Sequence, residues 1–379
     1  MAQDAEQLSL AALNRALLAR QGLLERLDAP LVEAVEAIGA LQAQHWPALP
    51  VALWSRVQDF VPDDLYGELD RGRLVSGTLL RTTLHLVSAR QHPAYAAVAS
   101  EVADWRRSKA EATPEAEKLL KELVAYAKGT PRSAEEIAAF AEDWVGSDGA
   151  ALHDDEVKAQ RERKWRPLMR WHGFVRVPAE GEWGPKAPTS LRGAPRPRKK
   201  LAADASLDEV VLRHLRAFGP AGPDDVAGWI GWRTPPVREA FERLDRKLVA
   251  FADDAGRTVH DLPDAPRPDP ETPAPPRFLA PFDSVLLAYA PKRRGRILPD
   301  KHRDAVYERA NLRILPTYLV DGRVAGTWSI EVKRREATVT LRPQEKLPRT
   351  TRAELVDEGE RLARTVQPEA KAHAAVVAR

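Results

Sequence analysis

Cysteine is absent from this 379-residue sequence, which excludes disulfide bonds, thiolate catalysis and zinc sites built on cysteine. Long hydrophobic runs are also absent: no stretch approaches the roughly 18 apolar residues that a membrane-spanning helix needs. The amino-terminal segment, with Asp4, Glu6 and Gln7, lacks the basic region and apolar core of a secretory signal. A cytoplasmic protein is therefore expected.

Net charge is small, since 58 lysine and arginine residues against 55 aspartate and glutamate residues give +3. The basic residues are nevertheless grouped in four stretches. Each stretch alone is typical of a solvated surface, but their recurrence at similar places in successive modules indicates a polyanionic partner. The four stretches are Arg161–Arg170, Arg192–Lys200, Lys292–Arg296 and Lys333–Arg335.

The length exceeds that of one hydrophobic core and predicts two to four modules of about 100 residues. In residues 201–262, three segments with helical spacing precede two short apolar runs joined by a glycine-containing turn. Three helices followed by a hairpin are typical of a winged-helix module. The same order recurs less regularly in residues 1–100 and 101–200, so three tandem modules are predicted. Their helices are expected at 8–27, 30–43 and 47–58, and at 115–128, 133–145 and 154–170.

A proline-rich linker, 262–276, separates these modules from a carboxy-terminal domain at 277–379. Strands are predicted there at 278–289, 312–320, 323–331 and 337–341, with a tight turn at Asp321-Gly322 and a final helix near 351–366. The predicted fold class is α+β, with three winged-helix modules followed by a small β-rich, barrel-like domain.

Four stretches carry a resemblance to a known family: Gly39–Gln44, Arg81–Val87, Leu279–Asp283 and Leu319–Trp328. In these motifs the sequence resembles the AlkZ/YcaQ-like winged-helix DNA glycosylases, over nearly the whole chain. The resemblance implies a DNA N-glycosylase that removes alkylated bases from duplex DNA. No cofactor and no metal are expected. The protein is expected to be a monomer.

The family's catalytic signature is a glutamine, an apolar residue, and then glutamine or aspartate. Gln42-Ala43-Gln44 matches the version with two glutamines, so Gln42 and Gln44 are the expected catalytic pair. A base alkylated at N7 of guanine or N3 of adenine is already cationic and leaves without a general acid. A carboxamide can then hold the attacking water at C1′ and donate to a sugar or phosphate oxygen. Because residues two apart lie on different faces of a helix, both reach one substrate only if the helix ends there.

Several residues are expected to contact DNA. His45 could orient the water, meet a phosphate or pack beside Trp46, and His85 could face DNA or make a structural hydrogen bond. The stretch at 292–296 departs from the family's acidic–arginine pair, which leaves its contacts undefined. The predicted DNA-binding set is His45, Arg81, His85, Lys292, Arg293, Arg294, Arg296 and Arg323.

A hairpin is also expected to enter the minor groove, as the resemblance suggests, and two segments qualify: Val320–Ala325 and the loop 289–297. The sequence leaves open which adduct is excised. It also leaves open whether the enzyme protects a producer from its own genotoxin or repairs general damage.

Two other functions remain open at this point. A winged-helix regulator would read bases with its third helix, but the segment 234–245 carries charges of both signs, which is poor for such reading. A protein that sequesters an alkylating metabolite would bind the free compound. Release of a base from alkylated duplex, retention of the intact adduct on DNA, or capture of free compound would separate the three.

Overall fold

A computed structural model describes residues 6–106, 114–148, 152–169, 172–185, 190–194, 202–311 and 313–378. The chain divides into two compact units. The first is formed by Met1–Leu65, Val211–Trp229 and Arg233–Arg379, and the second by Tyr66–Val210 and Ile230–Trp232. The four-domain division along the sequence therefore stays a prediction, since segments distant in sequence share a unit.

The described residues contain fourteen α-helices. In chain order they are α1 (Leu10–Arg20), α2 (Leu31–Ile38), α3 (Ala48–Trp54), α4 (Pro62–Asp70), α5 (His92–Arg106), α6 (Pro114–Tyr126), α7 (Ala134–Asp148), α8 (Asp154–Glu162), α9 (Arg166–Met169), α10 (Ala203–Phe218), α11 (Pro223–Ile230), α12 (Thr234–Leu244), α13 (Arg303–Val306) and α14 (Arg349–Val366). Helices α4 and α5 fall outside the predicted elements. No helix in these ranges is both long and apolar enough to cross a bilayer.

The described ranges also contain fifteen strands. They are β1 (Gln7–Leu8), β2 (Leu41–Gln42), β3 (Leu74–Thr78), β4 (Leu84–Ser88), β5 (Phe174–Val177), β6 (Ser190–Gly193), β7 (Val249–Asp253), β8 (Thr258–Asp261), β9 (Arg277–Leu279), β10 (Tyr307–Glu308), β11 (Arg313–Ile314), β12 (Thr317–Val320), β13 (Arg323–Lys333), β14 (Glu336–Pro343) and β15 (Ala372–Val377). The predicted strand at 278–289 thus ends early, and Leu312 lies outside the described residues.

The segment 201–262 has the predicted order of three helices, α10 to α12, and one hairpin, β7 and β8. Helix α12 has proline in its first turn, where an amide hydrogen has no intrahelical partner, and it buries Val237, Phe241 and Leu244. Strand β1 adds a third strand, parallel to β7. In addition, Arg20 of α1 forms a buried bidentate ion pair with Asp261 of β8, at 2.7 and 2.8 Å. The amino-terminal segment is therefore part of this module's core.

The wings predicted for the first two modules share one sheet in the second unit. Its strands lie in the order β4-β3-β5-β6, and all neighbours are antiparallel. A Cβ on Gly77 would lie 3.2 Å from the carbonyl oxygen of Phe174, so the close approach of β3 to β5 favours glycine there. Apolar side chains of α6, α7 and α8 pack against the sheet around Phe174 and Leu191.

The carboxy-terminal domain is a five-stranded sheet in the order β15-β14-β13-β12-β9. Helix α14 buries Leu355, Leu362 and Ala363 and connects β14 to β15, which makes that pair parallel. Asp321 and Gly322 form the predicted tight turn between β12 and β13, both with positive φ. Among the described residues no pairing joins β9 to β15, so the sheet is open. The α+β class is confirmed, whereas the barrel-like form is not.

Candidate active site

The predicted catalytic pair does not lie on a helix: Gln42 ends strand β2, and Gln44 follows it by two residues. Helix α2 ends at Ile38 because Gly39 adopts a φ of 88°, and β2 follows. The prediction of a helix to residue 43 is therefore wrong. Burial alternates along the segment: Leu41 and Ala43 are buried, Gln42 is half-buried and Gln44 is exposed. Gln44 lies two residues beyond the end of β2, in a bend of the chain.

Buried polar contacts hold the backbone that leads into this pair. The Oγ of Ser284 donates to the carbonyl of Ala40 at 3.1 Å. The amide of Gln21 donates to the carbonyl of Ile38 at 2.8 Å. Both donors are buried, so neither bond exchanges readily with water. The catalytic segment is thereby fixed on both the α1 side and the side of the carboxy-terminal domain.

A fully buried ion pair supports these two contacts. Arg56 donates to both carboxylate oxygens of Asp283, at 2.7 and 3.0 Å, and neither side chain has exposed area. The same guanidinium donates from Nε to Gln21 at 3.2 Å. Asp283 is the residue before Ser284, so the pair restrains both anchors of the catalytic segment.

His45 follows the pair and lies near a cation that the sequence analysis does not single out. Partial burial, and then the positive charge of Arg313, hold the pKa of His45 below its ordinary value, so its ring is neutral at pH 7. Arg313 is exposed on β11, and the amide of Phe282 donates to the carbonyl of its neighbour Ile314 at 3.3 Å. An isolated arginine in a short strand has no clustering signal, which is why sequence patterns miss it.

The Arg81–Val87 motif forms a turn and strand β4 of the second unit. Arg81 and Thr82 both have left-handed φ values, 53° and 58°. His85 is completely buried, and burial, followed by the charge of Arg81, lowers its pKa to about 3. The prediction that His85 touches DNA is therefore corrected: its ring contacts Arg81 and Thr83 inside the protein.

The basic stretch 292–296 is mostly committed to contacts within the first unit. Arg296 is 2% exposed, stacks 4.0 Å above the ring of Tyr289 and donates to the carbonyl of Pro220. Its predicted contact with DNA is wrong, because the guanidinium is covered. Arg293 forms ion pairs with Asp224 and Asp225 of α11. The positive charge of Arg293 is therefore already neutralised within the protein.

The remaining predicted cations differ in exposure. Arg294 is half-buried and donates to the carbonyl of Tyr289 and the hydroxyl of Tyr307. Lys292 is exposed, as is Arg323, which donates to the carbonyl of Gly295 at 3.1 Å. Lys292 and Arg323 are thus the members of this group whose charge is displayed at the surface.

Neither predicted minor-groove hairpin presents a detached tip. In the Val320–Ala325 hairpin, Arg15 of α1 binds the carboxylate of Asp321 at 2.5 Å, and Asn14 donates to the carbonyl of Gly322 at 2.8 Å. The loop 289–297 is packed through its arginines. By contrast, the turn between β13 and β14, Lys333–Glu336, is exposed and belongs to the fourth basic stretch.

The structure describes the basic stretches 161–170 and 192–200 only in part. Arg161 is exposed but paired with Glu142 at 2.7 Å. Arg170 and residues 196–200 lie outside the described residues. Within the described ranges, no three histidine or carboxylate side chains come together as a metal site.

The comparisons with known proteins agree with the motif. The model of the DNA glycosylase AlkZ-like family matches residues 35–365, which is most of the chain. The chain belongs to the AlkZ-like DNA glycosylase family. A DNA N-glycosylase is thereby confirmed, and the regulator and sequestration alternatives are set aside. Among proteins of curated function the comparison found no match.

The fold of the chain is similar to that of a solved DNA glycosylase. The DNA glycosylase AlkZ of Streptomyces sahachiroi superposes with a TM-score of 0.78, covering 98% of this chain and 100% of that one. The two sequences are 20% identical, so this likeness shows the fold alone. The glycosylase described here thus shares the whole architecture of AlkZ, although the number of its winged-helix modules stays a prediction.

Within the first unit of this AlkZ-like glycosylase, the candidate site contains two carboxamides, a neutral imidazole and an exposed guanidinium. The carboxamides are those of Gln42 and Gln44, and the other groups belong to His45 and Arg313. None of these groups is a strong acid at neutral pH. The set is suited to orient water and to neutralise a phosphate, and not to protonate a leaving base.

Proposed function

We propose that this glycosylase excises cationic alkylated bases, such as N7-alkylguanine, from duplex DNA, with Gln42 and Gln44 as catalytic residues. The observation that carries the proposal is that α2 ends at Ile38, before the pair, so the faces of a helix do not separate the two carboxamides. The backbone that leads into the pair is held by buried bonds from Ser284 and Gln21. One carboxamide oxygen accepts from the attacking water, and the amide hydrogens of the other donate to oxygens of the substrate.

The chemistry requires little acid catalysis. The bond between C1′ and the base nitrogen breaks with its electron pair going to the base, which cancels the positive charge of the alkylated ring. Water forms the new C1′–O bond and releases a proton to solvent. A neutral uncharged base would need protonation, which this set of side chains does not supply, so selectivity for cationic adducts follows.

The enzyme is proposed to be monofunctional, acting as a monomer and leaving an abasic site. Residues 39–46, which contain the motif, include no lysine that could form a Schiff base with C1′. Incubation with duplex containing N7-methylguanine should release the free base and leave the strand intact. Trapping of a covalent adduct by borohydride would contradict a monofunctional mechanism.

DNA binding is proposed to depend on cations of both units, three of them exposed and Arg81 half-buried. In the first unit the proposed phosphate contacts are made by Arg313, Lys292 and Arg323, and in the second unit by Arg81. Arg294 and His45 are also proposed to contact DNA. Arg313 stands apart because its charge already reaches His45 of the catalytic segment. Arg313→Ala should lower the salt slope of DNA binding by about one unit, whereas Arg161→Ala, whose charge is paired with Glu142, should change it little.

A further inference from the structure

We propose that His85 is a positioning residue, whose neutral imidazole holds the guanidinium of Arg81 ready for a DNA phosphate. The inference rests on the proposed function, in which Arg81 contacts DNA. Because His85 is buried, it cannot contact DNA itself and would act on binding only through Arg81.

The turn that carries Arg81 is closed by a small set of backbone bonds. The amide of Leu79 donates to the carbonyl of Thr83 at 3.0 Å, and the amide of Thr83 donates to the carbonyl of Leu80 at 3.0 Å. Between these bonds, Arg81 and Thr82 adopt left-handed conformations. Each costs on the order of 1 kcal/mol or more for a residue other than glycine, so surrounding contacts must hold the turn.

His85 supplies such a contact. Its Nδ1 lies 2.9 Å from the carbonyl of Thr83, which can only accept, so Nδ1 carries the proton. In a neutral ring the other nitrogen, Nε2, is then an acceptor. It lies 3.3 Å from Nη2 of Arg81, which can only donate. One ring therefore closes the turn with one nitrogen and binds the arginine with the other.

The protonation state required by this arrangement is secured by burial. A pKa of about 3 for His85 leaves the ring neutral at pH 7. A protonated ring would repel Arg81 and have no acceptor to offer it. Arg81 is half-buried and precedes the exposed Thr82, so the residue keeps solvent-accessible surface that a phosphate can approach.

Two substitutions separate the two functions of the ring. In His85→Asn the carboxamide takes the place of Nδ1, which keeps a donor for Thr83 and removes the acceptor for Arg81. In His85→Gln the carboxamide reaches the place of Nε2 and keeps the acceptor. His92→Asn is the matched control, because His92 is also a buried histidine of the second unit, with Nε2 left unpaired in the described structure.

The experiment measures Kd for undamaged duplex as a function of salt, together with Tm and single-turnover excision of N7-methylguanine. Arg81→Ala should lower the salt slope by about one unit, which at 0.1 M salt weakens binding about eightfold. His85→Asn should weaken binding about threefold, His85→Gln should retain wild-type affinity, and His92→Asn should lower Tm without changing the slope. In the Arg81→Ala background, His85→Asn should add nothing to Kd.

Three outcomes would overturn the inference. If Arg81→Ala weakens binding but His85→Asn leaves the salt slope and Kd unchanged, His85 does not position Arg81. If the effect of His85→Asn persists undiminished without Arg81, the histidine acts only on stability. If Arg81→Ala itself binds normally, the proposed DNA contact fails and the inference fails with it, even where base excision is intact.

Discussion

Removal of the carboxylate of Asp283 should destabilise the first unit strongly. Its oxygens accept two bonds from Arg56 and one from the amide of Val285 at 3.1 Å. The guanidinium of Arg56 is 0% exposed, so in Asp283→Ala bulk solvent does not take the place of the carboxylate. Breaking one partner of a buried pair costs about 3–5 kcal/mol, because the other charge remains buried and uncompensated.

The assay is urea unfolding, followed by tryptophan fluorescence and circular dichroism so that separate transitions of the two units are detected. Asp300→Ala is the control: it removes the ion pair with Arg303, but Asp300 is 81% exposed and the loss should be below about 1 kcal/mol. The double variant Arg56→Met, Asp283→Leu should recover most of the loss, since it removes both charges.

The same variant also tests the link from this pair to the active site. Because Asp283 precedes Ser284, which holds the carbonyl of Ala40, Asp283→Ala should lower single-turnover excision even where the protein is fully folded. A destabilisation below about 1 kcal/mol, equal to that of Asp300→Ala, would refute the account of the pair. Unchanged excision would refute the link.

Acid and backbone changes give the remaining predictions. Burial lowers the pKa of His85 to about 3 and that of His92 to about 4, whereas both are about 6.5 in the unfolded chain. Below pH 6.5 these histidines take up protons only in the unfolded chain, so the free energy of unfolding falls as the pH is lowered toward the pKa values of the folded protein. Each of the two histidines lowers the free energy of unfolding by about 1.4 kcal/mol at pH 5.5. The fall in Tm between pH 7.5 and 5.5 should therefore be smaller in His92→Phe than in the wild type, and an equal fall would contradict this. Gly322→Ala places a Cβ 2.5 Å from Leu18 at a φ of 74°, whereas Gly256→Ala, at a φ of 71°, meets nothing within 4 Å. Gly322→Ala should therefore cost about 1–3 kcal/mol more by urea unfolding, and equal losses would show that the hairpin is not docked on α1.

Sequence patterns predict much of the fold correctly. Helical spacing locates α6, α7, α10 and α12, and the Asp321-Gly322 pair predicts the hairpin between β12 and β13. Strand β15 carries no such signal: it is a short apolar segment whose pairing depends on the crossover through α14.

The catalytic pair can be located from the sequence, but its geometry cannot. Gly39 is a local signal for the end of α2, since glycine tolerates positive φ, and the prediction of a longer helix overlooks it. The carbonyl of Ala40, which leads into the pair, is held by Ser284, 244 residues away in sequence. Periodicity within four residues cannot show this.

Charge clusters are the least informative pattern for function. The stretch 292–296 reads as one basic surface, yet Arg296 is covered by Tyr289 and Pro220, and Arg293 is paired with α11. Which arginine is buried depends on residues about 70 positions away in sequence, as with Arg296 and Pro220, 76 positions apart. Arg313, which belongs to no basic cluster, is the cation whose charge acts on His45 of the catalytic segment.

The central claim is that Gln42 and Gln44 act together on one water and one developing cation. Single-turnover excision of N7-methylguanine from duplex should fall roughly 10²-fold or more in Gln42→Ala and in Gln44→Ala, with little change in Kd or Tm. The double variant should lose little beyond either single one, because each glutamine leaves the other with little to orient. Gln44→Asp should retain partial activity, since a carboxylate can also hold the water. Folded Gln42→Ala and Gln44→Ala proteins that excise the base at the wild-type rate would contradict the account and place the active site elsewhere.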